Sequence, residues 1–165
     1  MAYTIQQHLA YSTWANEKLV EKLWELNDKV LFAEVKSSFS SIAKTLLHMW
    51  DAETIWIKRL QGESLTTWPS QNFSGTKDDL LKGVVNSSRQ LLSFVELRDE
   101  AFIQSKISYK NLKGESFENE VEPLLYHLVN HGTYHRGQVT TMLRELGVTH
   151  LASTDIIFYL RTLKD

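Results

Sequence analysis

At 165 residues the chain has the length of one ordinary domain, long enough to bury a core without external staples. Its 18 basic and 20 acidic residues leave a net charge of −2, and neither sign gathers into a block. That argues against a non-specific nucleic-acid surface and against an anionic-membrane anchor.

The absence of cysteine excludes disulfides, thiolate ligands and a cysteine nucleophile, so any sulfur chemistry must come from a substrate. No apolar run reaches transmembrane length and no basic-then-apolar leader opens the chain, so a cytoplasmic protein is expected. Two prolines and seven glycines leave room for long helices.

From Thr4 to Leu26 one helical face carries Ile5, Leu9, Ser12, Ala15, Leu19, Leu23 and Leu26, with Glu17, Lys18, Glu21 and Lys22 largely off it. Tyr11, Trp14 and Asn16 lie beside this stripe, and Trp14 reads as packing rather than a ligand stack. His8 has no partner histidine nearby and reads as a surface or half-buried residue. The polar run from Lys36 to Ser41 then supplies a cap, Ser40 or a neighbour, for a second long helix. Its stripe is Ile42, Leu46, Met49, Glu53, Trp56 and Leu60, and Gly62 suits its end. His48 borders that stripe on the face of Thr45, Ala52 and Ile55.

Residues 62–75 read as a loop across one end of a bundle. Thr76 followed by Asp79 resembles a helix start, and the third helix carries Leu81, Val84, Ser88, Leu91 and Val95 inward, ending near Arg98. Between Phe102 and Val121 the period shifts towards two, which predicts a short β-hairpin or an extended crossover around Asn111–Gly114. Pro123 suits the first turn of a fourth helix and Gly147 its end. Ser153 and Thr154 can cap a short last helix carrying Ile156, Ile157, Tyr159, Leu160 and Leu163. The expected fold is therefore all-α, a four-helix bundle over residues 1–165 as a single domain.

The fourth helix carries the chemistry. His127, His131 and His135 recur at intervals of four, a step that returns side chains to within about 40° and advances them about 6 Å, so adjacent pairs can reach one ion. The core stripe is Leu124, Leu128, His131, His135, Val139, Met142 and Leu146, so His131 and His135 replace apolar residues on the inward face. His127 lies about 100° round the helix and is the least suited to point inward. Two buried imidazoles need hydrogen bonds, a metal or a wet cavity. As metal ligands they form an incomplete set, because zinc and similar ions take three or four protein donors.

The order of these parts resembles the DinB family, also called the DinB/YfiT-like metalloenzymes. The resemblance rests on Tyr11-Ser-Thr-Trp14-Ala-Asn16, on Ser41-Ile42 with Leu47-His48 and Trp56, and most strongly on His131-Gly-Thr-Tyr-His135-Arg136-Gly137-Gln138. It implies an up-down-down-up bundle, commonly a homodimer, with a divalent metal on three histidines, one from the second helix and two from the fourth. Carried over by position these are His48, His131 and His135. The resemblance also implies thiol-dependent transferases and isomerases that use low-molecular-weight thiols, with a small-molecule substrate and no contact with DNA.

Three neutral imidazoles would leave a divalent ion its full charge and an open position, at which it can acidify water or bind a thiol as thiolate. Zinc, nickel and iron(II) all accept imidazole. Ligating histidines usually donate their second nitrogen to an acceptor, and Asp51, Glu53, Asn130 and Gln138 are within helical reach. Glu53 is a candidate orienting group or general base, or else a structural acid in a salt bridge. Tyr134 can face the pocket or a dimer interface, and Arg136 can serve as a structural ion-pair donor or an anion clamp. The leading expectation is a metal-dependent thiol S-transferase, ahead of a hydrolase using metal-bound water. Its rivals are a non-catalytic metal-binding dimer associated with stress, and a site that holds no metal at all.

Overall fold

The computed structural model describes residues 3–163. Four long helices, α1 (Ile5–Trp24), α3 (Ile42–Leu60), α4 (Lys77–Glu96) and α6 (Val121–Glu145), build the bundle. Three short helices, α2 (Asp28–Phe32), α5 (Glu100–Ile103) and α7 (Ile156–Thr162), sit around it. Three of the four long helices start at a side-chain cap, and α6, after Glu120, does not. Thr4 and Gln7 close a capping box on α1, Ser41 accepts from Lys44 N on α3, and Thr76 with Asp79 closes a second box on α4. Gly62 and Gly147 follow α3 and α6 with φ of 83° and 85°, the left-handed conformation a chain adopts as it leaves a helix.

Two core clusters fix the helix directions. One joins Leu19–Leu23 of α1 to Ile42–Met49 of α3, Leu80–Val85 of α4 and Val139–Leu143 of α6. The other joins Ile5 and Leu9 to Ile57 and Leu60, Leu91 and Val95, and Val121–Val129. The start of α1 therefore lies beside the ends of α3 and α4 and the start of α6, which is an up-down-down-up order. Around the ring, α1 packs on α4, α4 on α3, α3 on α6 and α6 on α1.

The parallel placement of α3 and α4 has a consequence for residues 61–76. They do not cross one end of the bundle, as the sequence suggested, but run back along α3 from its end to the level of its start. A 19-residue helix rises about 28 Å, and 16 residues of chain can span that distance with slack. On the way the segment makes a 3₁₀ turn at Pro69–Asn72, and Phe73 packs edge-on to Trp50 at 5.8 Å.

At the opposite end, β1 (Lys106–Lys110) pairs antiparallel with β2 (Ser116–Glu120), with Ser108 opposite Glu118. The expected hairpin is present. The cap of α7 differs from expectation: Asp155 occupies the N-cap position, makes no side-chain cap bond and accepts instead from Ser153 Oγ at 2.9 Å. The helices α2 and α5 were not foreseen, because four or five residues are too few for a hydrophobic period. Among the described residues no helix is long and apolar enough to cross a membrane.

Candidate metal centre

The helical spacing delivers His131 and His135 to one side of α6, and the antiparallel contact of α3 with α6 brings His48 opposite them. The Nε2 atoms of His48 and His131 lie 2.9 Å apart, and those of His135 and His131 3.1 Å apart. One ligand atom from each of the three histidines falls within 4.8 Å of the others. His135 is buried, while His48 and His131 are partly buried.

The donor chemistry of this cluster fits a cation. A ring nitrogen carries either one proton or one lone pair, so His131 Nε2 can make at most one full hydrogen bond of its two close contacts. His135 Nδ1 donates to Gln138 Oε1 at 2.8 Å, which places its proton there and leaves the Nε2 lone pair facing the other rings. All three imidazoles are held towards the neutral form that metals require. Burial lowers the pKa of His131 to about 3, with the neighbouring histidines adding to the effect. Burial and His135 lower that of His48, and burial lowers that of His135 against the opposing bond to Gln138.

The remaining candidates separate around this cluster. His127 is exposed and outside it, with its ring 5.9 Å from that of His131 and 6.0 Å from that of Trp56. Asp51 is buried, yet it accepts from Ser70 N at 2.7 Å and Ser70 Oγ at 2.5 Å rather than from a histidine. Asn130 is exposed. Tyr134 is exposed with its ring edge-on to His135 at 5.0 Å, and its hydroxyl accepts from Gln138 Nε2 at 3.0 Å. The same amide nitrogen donates to Ser38 Oγ at 3.0 Å, so Gln138 ties the α2–α3 connection to the cluster.

Glu53 and Arg136 belong to a polar hub inside the bundle. The Glu53 carboxylate accepts from Ser87 Oγ at 2.5 Å and Ser88 Oγ at 2.9 Å, with Asn16 Nδ2 at 3.4 Å. Arg136 is buried and donates to Asn16 Oδ1 at 2.9 Å, Ser12 Oγ at 3.2 Å and Thr133 Oγ1 at 2.9 Å. Gly132 makes room for this fold-back, since a Cβ there would stand 3.0 Å from the guanidinium. Burial pushes the Glu53 carboxyl up to about 7, against the pull of the two serines and the Arg136 charge.

Three residues close to the cluster carried no signal in the periodicity. Phe39 stacks on His48 at 4.5 Å and lies 5.8 Å from His135. Trp68 stands 6.2 Å from His48, and Lys44 lies one turn before it. The Trp68-Pro69 pair in a loop was the one feature that could have drawn notice.

The profile of the DinB family matches residues 1–162. The chain belongs to the DinB family. It is similar to the protein DinB of Bacillus subtilis strain 168, with 29% identity over 157 residues, covering 91% of this chain and 90% of that one. Among solved structures it resembles a DinB-like protein from Bacillus cereus ATCC 10987, with a TM-score of 0.69 at 18% identity, covering 93% of this chain and 99% of that one. It also resembles YfiT from Bacillus subtilis, described as a probable metal-dependent hydrolase with an unusual four-helix bundle topology. There the TM-score is 0.67 at 11% identity, over 88% of this chain and 89% of that one. These likenesses agree with the bundle order read from the two core clusters of this DinB-family chain.

Proposed function

We propose that His48, His131 and His135 hold a divalent metal ion, zinc, nickel or iron(II), and that this DinB-family chain is a metal-dependent enzyme acting on a small molecule. The observation that carries this reading is the convergence of three imidazole Nε2 atoms, with His135 fixed by Gln138. When bound, such an ion supplies a Lewis acid with an open position, able to lower the pKa of a thiol or a water molecule.

The reading prefers a low-molecular-weight thiol as nucleophile, making the chain a thiol S-transferase. Two depressions support it, as two reactants require two places. One, of about 500 Å³, reaches His48, and the other, of about 420 Å³, is lined by Tyr134 and Gln138 beside His135. Hydrolysis is the second reading, favoured by the description of YfiT. Metal-bound water would be its nucleophile, and the carboxylate in the first groove, Asp51, is engaged by Ser70. The same reading takes the chain to act in the cytoplasm as a homodimer, without nucleic acid.

Elemental analysis of untagged protein tests the ligand set. Near-stoichiometric metal is expected, and His48→Ala, His131→Ala and His135→Ala should each weaken binding beyond the roughly 10- to 100-fold that loss of a supporting hydrogen bond costs. His8→Ala and His150→Ala should bind as the parent does. Failure of every ion to bind after reconstitution would remove the reading. With metal in place, turnover of electrophiles that depends on added thiol distinguishes transfer from hydrolysis.

A further inference from the structure

The return of the chain from α3 to α4 lays a second layer over the face of α3 that carries His48. The groove there, of about 500 Å³, is lined by Phe39, Leu47 and Trp68, with His48 and Lys44 also on its lining. Trp68 is 45% exposed, so its indole is open to a ligand in the groove. It does not hang loosely. The residues after it form the Pro69–Asn72 turn, and Asp51 grips that turn through both the amide and the hydroxyl of Ser70. The indole is therefore held near the Phe39–His48 stack, 6.2 Å from the His48 ring.

The charges of the groove are separated along it. Lys44 and Asp51 are seven residues apart on α3, which is about 10 Å of helix rise, with His48 between them. The Asp51 oxygens are occupied by Ser70. The Lys44 ammonium donates to Ser40 Oγ at 2.8 Å and, among the described residues, forms no ion pair. An incoming molecule thus meets the Lys44 cation, the Trp68 indole and the stacked rings of Phe39 and His48.

We propose that this groove binds a planar aromatic anion, its ring against Phe39, Leu47 and Trp68 and its anionic group at Lys44, so that the ring's far edge is presented to His48. The chemical meaning rests on the metal-centred reading, in which this molecule is the reactant that meets the activated nucleophile. The binding itself does not.

Three probes with the same ring and different charge test the groove in the full chain as purified: naphthalene-2-sulfonate, 2-naphthylmethanol and 2-naphthylmethylammonium. Sulfonate is a poor metal ligand, so its binding reports the groove rather than the ion. By titration calorimetry the sulfonate should bind tightest and the ammonium weakest. Lys44→Glu should weaken the sulfonate by roughly 5- to 10-fold and reverse the order. Trp68→Ala should weaken all three probes by roughly 3- to 10-fold, and Trp68→Phe should recover most of the loss. Both positions are exposed, and thermal melts of the variants check that the fold is kept. Equal affinity for all three probes, indifference to Lys44→Glu or Trp68→Ala, or no saturable binding by the parent would each overturn the proposal. Metal titrations of the same variants keep the two readings apart: intact metal binding with no probe binding removes the groove alone, and the converse removes the metal centre alone.

Discussion

Within the cluster one side chain decides how well the histidines are aimed. Gln138 accepts a hydrogen bond from His135 Nδ1 with its oxygen and donates from its nitrogen to Tyr134 and Ser38. Gln138→Ala should lower metal affinity by roughly 10- to 100-fold while leaving all three histidines in place. Gln138→Glu keeps an acceptor for Nδ1 and should recover most of that loss. Ser38→Ala and Tyr134→Phe remove only the amide's other partners and should leave affinity near the parent's. Competition against a chelating dye measures all four, and an unchanged Gln138→Ala would mean that packing alone orients His135. The inward pair was legible because His131 and His135 sit on an apolar stripe and His127 does not. His48 was not legible by period, since it borders its stripe, and only the resemblance chose it. The aromatic residues around it could not be read at all, because a loop's path depends on the direction of helices far from it in sequence.

Single elements show where local signals sufficed. The starts of α3 and α4 were readable because a hydroxyl at the N-cap satisfies amides that the helix itself cannot, whereas that of α1 was legible from its apolar stripe alone. The start of α7 was misread, since Ser153 bonds to Asp155 instead of to the helix. Caps also allow stability to be separated from function. Ser41→Ala and Thr76→Ala should each cost about 1 kcal/mol and lower Tm by about 2–4 °C. Of these two helices only α3 carries a histidine of the cluster, His48, two turns beyond its cap. Ser41→Ala should therefore also weaken metal binding through fraying at the start of α3, whereas Thr76→Ala should not. Paired melts and metal titrations check this, and equal effects on metal binding would show that α3 holds His48 through its core contacts alone.

For the molecule as a whole, the polar hub is the feature that touches all four long helices. Ser12 and Asn16 come from α1, Glu53 from α3, Ser87 and Ser88 from α4, and Arg136 from α6. Its traces were in the sequence, because Ser12, Glu53 and Ser88 each interrupt an apolar stripe. Their meeting at one level was not, since that requires the helix order. The hub makes stability depend on pH in a direction that can be worked out. The Glu53 carboxyl, at about 7 in the fold against 4.5 for the free group, holds its proton more tightly when folded. Its contribution is then fully present below pH 4.5 and is lost as pH rises through about 7, a change of at most about 3 kcal/mol. His131 acts in the opposite sense, because its pKa falls to about 3, and its contribution is lost as pH drops below 6.5. The raw stability curve therefore mixes the two, but the difference between the parent and Glu53→Gln isolates the carboxyl. Measured by urea unfolding of metal-stripped protein, the variant should gain on the parent steadily between pH 4.5 and 7. A difference that stays flat across that window would mean that the hub accommodates the Glu53 charge without cost, with Arg136, bridged to it by Asn16, as a full counter-ion.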